Sequence, residues 1–239
     1  MEVFKYRQGN KDDLDALFNN YFFAPLVKDL NDPFETFLDE ESYIDELNAL
    51  IKAKGKQHSE NVKQHSKNVV ESVNNVIGRF NTETGFYSLT KNSLNEMMWS
   101  LYANSHKGFC IEYDLKELLK QGVKPNKFRY KLEVEYSDTP PVIRLEDIAK
   151  INEDKGETIF IKKGGTKSLS WSHEQEIRII SDKIGKNYYE PIALKAIYFG
   201  VRMESELKQL IVENFKNSNI KFYQIELIPN TYQLSFNPI

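Results

Sequence analysis

The sequence predicts an α+β protein, a mixed and mostly antiparallel sheet carrying an inserted helical hairpin. Three observations predict it. Segments whose apolar residues alternate, as in a strand with one buried face, recur from the first residues to the last. Between them, residues 36–81 abandon that period for long polar stretches with apolar stripes close to heptad spacing. Residues 192–199 are almost unbroken in their hydrophobicity and stop at Gly200, the mark of a buried central strand.

The elements follow in order. Residues 3–7 form an opening strand, with Val3, Lys5 and Arg7 on one side and Phe4 and Tyr6 on the other. Asn10 caps a helix that runs through Asn20 on a Leu14, Leu17 and Phe18 stripe. A short strand at 21–24 is ended by Pro25. Leu30-Asn31-Asp32-Pro33-Phe34-Glu35 is then a turn, because the residue before proline avoids the helical region and Asn and Asp bond back to their own backbone. Placed just after a strand, it is a candidate substrate-loop anchor.

The helical insertion over about 36–81 carries Tyr43, Leu47, Leu50 and Ile51 on one stripe. Gly55 breaks it, and Val62, Val69, Val73, Val76 and Phe80 make the next. Lys56-Gln57-His58-Ser59 recurs as Lys63-Gln64-His65-Ser66, which sets the two histidines two turns apart, about 10 Å along the axis and too far for one metal ion. His58 and His65 are therefore read as surface residues, and the lysine-rich apex as either a solvated tip or a contact for a partner or a second copy.

Strand character returns at 85–91, with Phe86, Ser88 and Thr90 on one face and Tyr87 and Leu89 on the other. A helix starting at Asn92 or Ser93 carries Met97, Met98, Leu101 and Tyr102, with Trp99 and Tyr102 as one wall of a pocket. Lys107-Gly108 stops it and launches a strand at 109–114, in which Cys110 reads as a buried, inert thiol. A short helix at 115–121 is closed by Gly122. The strict alternation of 128–136 then demands a strand with one wet face. Pro140-Pro141 marks a loop, 145–163 is mixed or helical, and Gly164-Gly165 reads as a flexible joint. After the central strand come an amphipathic helix at 205–217 and two closing strands, 221–228 and 232–236, giving seven or eight strands in one domain over 1–239.

A net charge of -3 over 239 residues argues against a chain that coats nucleic acid or anionic membrane through its overall field. A single cysteine excludes an internal disulfide and a multi-cysteine zinc site. With no apolar run of membrane-spanning length and no signal-peptide pattern at the start, the expectation is a soluble cytoplasmic protein without a membrane partner.

The stretch that stands out is Lys-Ser-Leu-Ser-Trp-Ser-His-Glu-Gln-Glu-Ile-Arg-Ile-Ile-Ser at 167–181. As a strand it sets Glu174, Glu176 and Arg178 on one face and Ile177 and Ile179 on the other. Such a face is either a solvated charged stripe or paired carboxylates in a site.

Two resemblances follow from these residues. Asn31-Asp32-Pro33-Phe34-Glu35, Trp99-x-x-Tyr102-x-x-x-His106-x-Gly108-Phe109-Cys110-Ile111-Glu112-Tyr113-Asp114, Lys167-x-x-x-Trp171-x-x-Glu174-x-Glu176-x-Arg178 and Ile197-Tyr198-Phe199-Gly200 resemble the landmarks of a bacterial and phage family catalogued as domain of unknown function 2971, across most of the chain. Separately, Arg7, Ser88-Leu89-Thr90 and Glu174-Gln175-Glu176 resemble the Arg, Ser-x-Ser/Thr and Glu-x-Glu pattern of mono-ADP-ribosyltransferases.

The second resemblance implies NAD as substrate, no metal, a protein or nucleic-acid acceptor, and a role as a toxin or phage-defence effector. It makes Glu176 the carboxylate that stabilises the oxocarbenium-like ribose and Glu174 the group that orients or deprotonates the acceptor. Arg7 binds diphosphate or ribose hydroxyls. Ser88 and Thr90 hold the glutamate and the ribose, and Tyr87, Trp99 or Tyr102 stacks on nicotinamide. Trp171 and Arg178 complete the binding set. His106 is either a phosphate ligand or base, or a histidine favoured by a helix C-terminus. The competing reading is a non-catalytic module that binds nucleotide, phosphate or a partner, with the glutamates neutralising buried arginines. A third, a metal-dependent nuclease built on His106, Glu112 and Asp114, lacks a tight ligand cluster.

Overall fold

The computed structural model describes residues 1–39, 41–53, 59–120 and 129–239. Its strands are β1 (Glu2–Arg7), β2 (Tyr21–Ala24), β3 (Gly85–Thr90), β4 (Phe109–Asp114), β5 (Arg129–Glu133), β6 (Glu135–Ser137), β7 (Thr166–Ser168), β8 (Glu176–Ser181), β9 (Gly185–Tyr188), β10 (Leu194–Phe199), β11 (Lys221–Leu227) and β12 (Leu234–Pro238). The helices are α1 (Lys11–Phe18), α2 (Glu41–Ala53), α3 (Ser59–Glu83), α4 (Glu96–Tyr102), α5 (Leu115–Leu119), α6 (Leu145–Ala149), α7 (Ile151–Asp154), α8 (Glu157–Gly165) and α9 (Ser205–Asn214). Gly55, the residues 56–58 of the repeat, Gly122 and Phe128 lie outside the described residues, as do the side chains of Leu50, Ile51, Val62 and His65. The chain divides into two compact units, one of Met1–Ala24, Gly85–Lys131 and Ser172–Ile239, the other of Pro25–Thr84 and Leu132–Trp171.

The first unit bears out the α+β class. Its eight-stranded sheet has the order β12-β11-β10-β4-β1-β3-β8-β5, with β10 and β11 parallel and β4, β1, β3 and β8 antiparallel. Alternation along each strand gives the sheet two unlike faces. One buries Val3, Tyr87, Leu89, Ile111, Ile177 and Ile179 beneath Leu17 of α1, Leu118 of α5 and Ile211 of α9. The other buries Phe4, Tyr6, Cys110 and Tyr198 against Met98 and Trp99 of α4. Each such side chain contributes about 1.5–3 kcal/mol by leaving water, so the two faces fix the register of every strand between them. The run at 192–199 holds the buried strand expected of it only from Leu194, hydrogen-bonded on both sides, because Pro191–Ala193 form a 3-10 turn that leaves Ile192 exposed.

Local signals explain the helix ends. The Asn10 side chain accepts from Asp13 N and starts α1 as expected. Asn95, not Asn92 or Ser93, caps α4, accepting from the backbone N–H of Met97 and Met98. Asp114 ends β4 and caps α5 in one residue.

The seven or eight strands expected are twelve among the described residues, since short pairs form outside the large sheet, and two segments differ from their reading. The strand read over 128–136 breaks at Val134, so that β5 joins the large sheet while β6 pairs in parallel with β7. Gly164 and Gly165 are the buried last turn of α8 rather than a free joint, and a Cβ on Gly165 would come within 3.2 Å of the Leu132 side chain.

The second unit holds the helical segment together with Leu132–Trp171. Its core joins Tyr43 of α2 and Val73, Val76 and Ile77 of α3 to Ile143 and to Ile159 of α8. The heptad-like spacing therefore reports burial at Val73, Val76 and Phe80, with Phe80 edge-on to Phe160 at 5.1 Å. Among the described residues no helix is long and apolar enough to cross a membrane.

Candidate active site

The three strands carrying the transferase-like motif are consecutive neighbours, β1-β3-β8. Thr90 pairs with Phe4 on one side and Glu176 on the other, and Ser88 stands opposite Arg178. Because Tyr87, Leu89, Ile177 and Ile179 all belong to the first apolar face, alternation puts Ser88, Thr90, Glu176 and Arg178 together on the second. Glu176 and Arg178 are 3% and 0% exposed. They form a bidentate pair, Arg178 Nε donating to Glu176 Oε1 at 2.8 Å and Nη2 to Oε2 at 3.1 Å.

Arg7 does not join them. Val3 of the same strand lies in the first apolar face, so Arg7 points there too, away from the Glu176 side of the sheet. Its guanidinium meets Asp13 Oδ1 at 3.4 Å, donates to the Tyr87 hydroxyl at 3.5 Å and lies 5.6 Å from that ring's centroid. Tyr87 is likewise removed as a nicotinamide platform, since it is buried and stacked on Phe22 at 4.4 Å. Lys5 shares this polar island. It donates to the Ser88 carbonyl at 2.7 Å and sits 5.0 Å from the Tyr87 ring centroid, and burial followed by the Arg7 charge lowers its ammonium from 10.5 to about 7.

Glu174 is not on the strand. It ends a 3-10 turn, and Gln175 at φ 45° breaks the alternation before β8 begins. Its buried carboxylate accepts the Tyr102 hydroxyl at 2.5 Å. The N-terminal end of α4 is tied to the same turn, Asn95 Nδ2 donating to the His173 carbonyl at 2.8 Å. The helix thus places Tyr102 by its cap at one end and its hydroxyl at the other.

Trp99 is core and not a pocket wall. It is fully buried, donates through Nε1 to Ser93 O at 2.8 Å and lies edge-on to Tyr6 at 5.1 Å. His106 stacks on it at 6.2 Å. Asn104, Ser105 and His106 all have positive φ, at 49°, 53° and 68°, a costly run for non-glycine residues. Burial, then the Arg202 charge, lowers the His106 imidazolium, opposite to the effect of a helix C-terminus, and Nδ1 is buried without a hydrogen-bond partner. The main chain here is crowded. A Cβ on Gly108 would stand 2.0 Å from Arg7 O, and one on Gly200 2.2 Å from His106 O. Cys110 is buried with its thiol pushed up by burial, and Glu112 accepts the Tyr198 hydroxyl at 2.6 Å while Asp114 caps α5.

Trp171 belongs to the second unit, where Lys167 stands 4.9 Å from its ring centroid and 3.0 Å from Glu35 Oε1, both charges buried. Sequence reasoning missed Tyr6, whose hydroxyl donates to Asn92 O at 2.9 Å beside the α4 cap, as well as Lys5 and this Glu35–Lys167 pair. For Tyr6 a signal existed, since it alternates with Arg7 as Glu176 alternates with Ile177. For the ion pair none did, because its members are brought together only by tertiary structure.

A family model described as a protein of unknown function (DUF2971) matches residues 98–179. That stretch contains the Trp99 to Asp114 and Lys167 to Arg178 landmarks, so the first resemblance is borne out there, over a shorter span than the residues from Asn31 to Gly200 that suggested it. No curated protein and no solved structure matches the chain. The transferase resemblance rests on the residues alone.

Proposed function

We propose that the chain cleaves the nicotinamide–ribose bond of NAD and transfers ADP-ribose to a protein or nucleic-acid acceptor, in the manner of a toxin or defence effector, from the sheet face that carries Glu176. The observation that carries this reading is the register: Thr90 opposite Glu176 and Ser88 opposite Arg178, on neighbouring strands and one face. Nicotinamide leaves with the electron pair of the C–N bond, and the Glu176 carboxylate stabilises the positive charge that develops on the ribose. An acceptor oxygen or nitrogen then bonds to that carbon and gives its proton to Glu174. The hydroxyls of Ser88 and Thr90 hold the ribose. Arg178 orients the carboxylate, and Arg7, which serves the opposite face, takes no part in binding the diphosphate or ribose hydroxyls.

The test is incubation with NAD labelled in its adenylate half, in the presence of protein and nucleic-acid acceptors. Nicotinamide release that disappears in Glu176→Gln, assayed below the variant's own melting transition, supports the reading. A wild-type chain that releases none under those conditions refutes it. The enclosure of the Glu176–Arg178 pair favours a second reading, a non-catalytic binding module in which the carboxylate neutralises a buried arginine. Under it, Glu176→Gln lowers stability and there is no turnover to lose.

A further inference from the structure

The second unit has a cleft of its own. Strands β6 and β7 run parallel with Ser137 beside Ser168, and their C-terminal ends open into a space of about 440 Å³. Phe34 and Phe37 stand at its rim, 65% and 50% exposed and edge-to-face at 5.2 Å. They are held there rather than left loose. Asp32 Oδ1 accepts the Phe34 N–H at 2.9 Å, the Glu35 N–H reaches Asp32 O at 3.0 Å, and the Phe37 N–H reaches Phe34 O at 3.2 Å. Two fixed, half-wet rings beside a concave polar wall suit a flat ligand.

Charge selects its kind. Among the described lining residues Lys167 is the one cation, and Glu35 and the Trp171 ring already engage it. The remaining wall carries the exposed Asp138 carboxylate, the Asp32 carboxylate that already accepts the Phe34 N–H, and the Ser168 hydroxyl. Such a wall repels phosphate and accepts from N–H groups. We propose that this cleft binds a nucleobase, its ring against Phe34 and Phe37 and its amino edge toward Asp138, with any phosphate left outside. The inference does not depend on NAD turnover at the Glu176 face.

Two sources share that chemistry, a free nucleoside and an unpaired base of a single strand, and one experiment separates them. Trp99 is buried and Trp171 lines the cleft, so change in tryptophan emission reports occupancy. The full chain is titrated with adenosine, cytidine and a short single-stranded oligonucleotide, beside the Phe34→Ala/Phe37→Ala variant, whose exposed positions leave the melting profile unchanged. Saturable change with a base, weakened about tenfold or more in the variant, is expected. Tighter binding of the oligonucleotide assigns the strand as source, and binding of nucleosides alone assigns the free compound. No saturation with any base, equal affinity in the variant, or binding only of a blocked arginine overturns the proposal.

Discussion

Glu176→Met is the most informative single change, because it separates what the carboxylate does for the fold from what it does for a substrate. Arg178 is fully buried and cannot shed its proton, so removing the carboxylate leaves a desolvated guanidinium without the bidentate acceptor it holds at 2.8 and 3.1 Å. Breaking one side of such a pair costs about 3–5 kcal/mol, a large share of the roughly 5–15 kcal/mol that holds a domain together. With a urea slope of about 2 kcal/mol per M, the midpoint falls by about 2 M. Replacing both residues, Glu176→Met with Arg178→Met, removes the charge and the need for its partner together, and recovers most of the loss. Unfolding is followed through Trp99 in a Trp171→Phe background, so that the emission comes from the same unit as the pair. A single variant that loses less than about 1 kcal/mol, or a double variant no more stable than its weaker parent, would show that the pair's burial does not govern its energetics as reasoned.

Three other outcomes follow. Lys5→Met flattens the pH dependence of stability relative to wild type between about pH 7 and 10.5, since the unfolded ammonium binds its proton through that window while the folded one has lost it. Stability therefore rises with pH across the window in the wild type, with the burial cost complete below it and absent above it, as urea midpoints at several pH values report. Tyr102→Phe removes the 2.5 Å hydrogen bond to the buried Glu174 carboxylate and costs about 1.5–3 kcal/mol in the same assay. Gly108→Ala drives a methyl group to 2.0 Å from the Arg7 carbonyl oxygen and abolishes soluble, cooperatively melting protein, whereas the exposed Lys107→Ala leaves melting unchanged.

Much of the first unit was legible in the sequence, because period-2 alternation and the apolar run that ends at Phe199 are local signals that the sheet honours, the run from Leu194 onward. The placement of Arg7 was not. Val3 and Arg7 share a side and Ile177 faces away from Glu176, but both faces of the sheet are apolar, so only the strand pairing puts Val3 and Ile177 on one face and separates the arginine from the glutamate. What the alternation hides is its interruption. Gln175 adopts a left-handed conformation with no glycine to announce it and takes Glu174 off the strand, while Val134 ends one strand where the pattern continues unbroken. Glu35 and Lys167 lie far apart in the chain, and no spacing rule joins them.

The close passage of main chain at His106, Gly108 and Gly200 bears on how kinship is to be read. Arg202 N–H bonds His106 O at 2.9 Å and Gly200 N–H bonds Gly108 O at 3.0 Å, so a loop after a helix and the turn after β10 are stitched backbone to backbone. The two glycines are the toll of a crossing too narrow for side chains, to which His106 lends only its carbonyl. Another chain bearing the same two glycines inherits the knot that ties its sheet, and is left at liberty to choose its own chemistry.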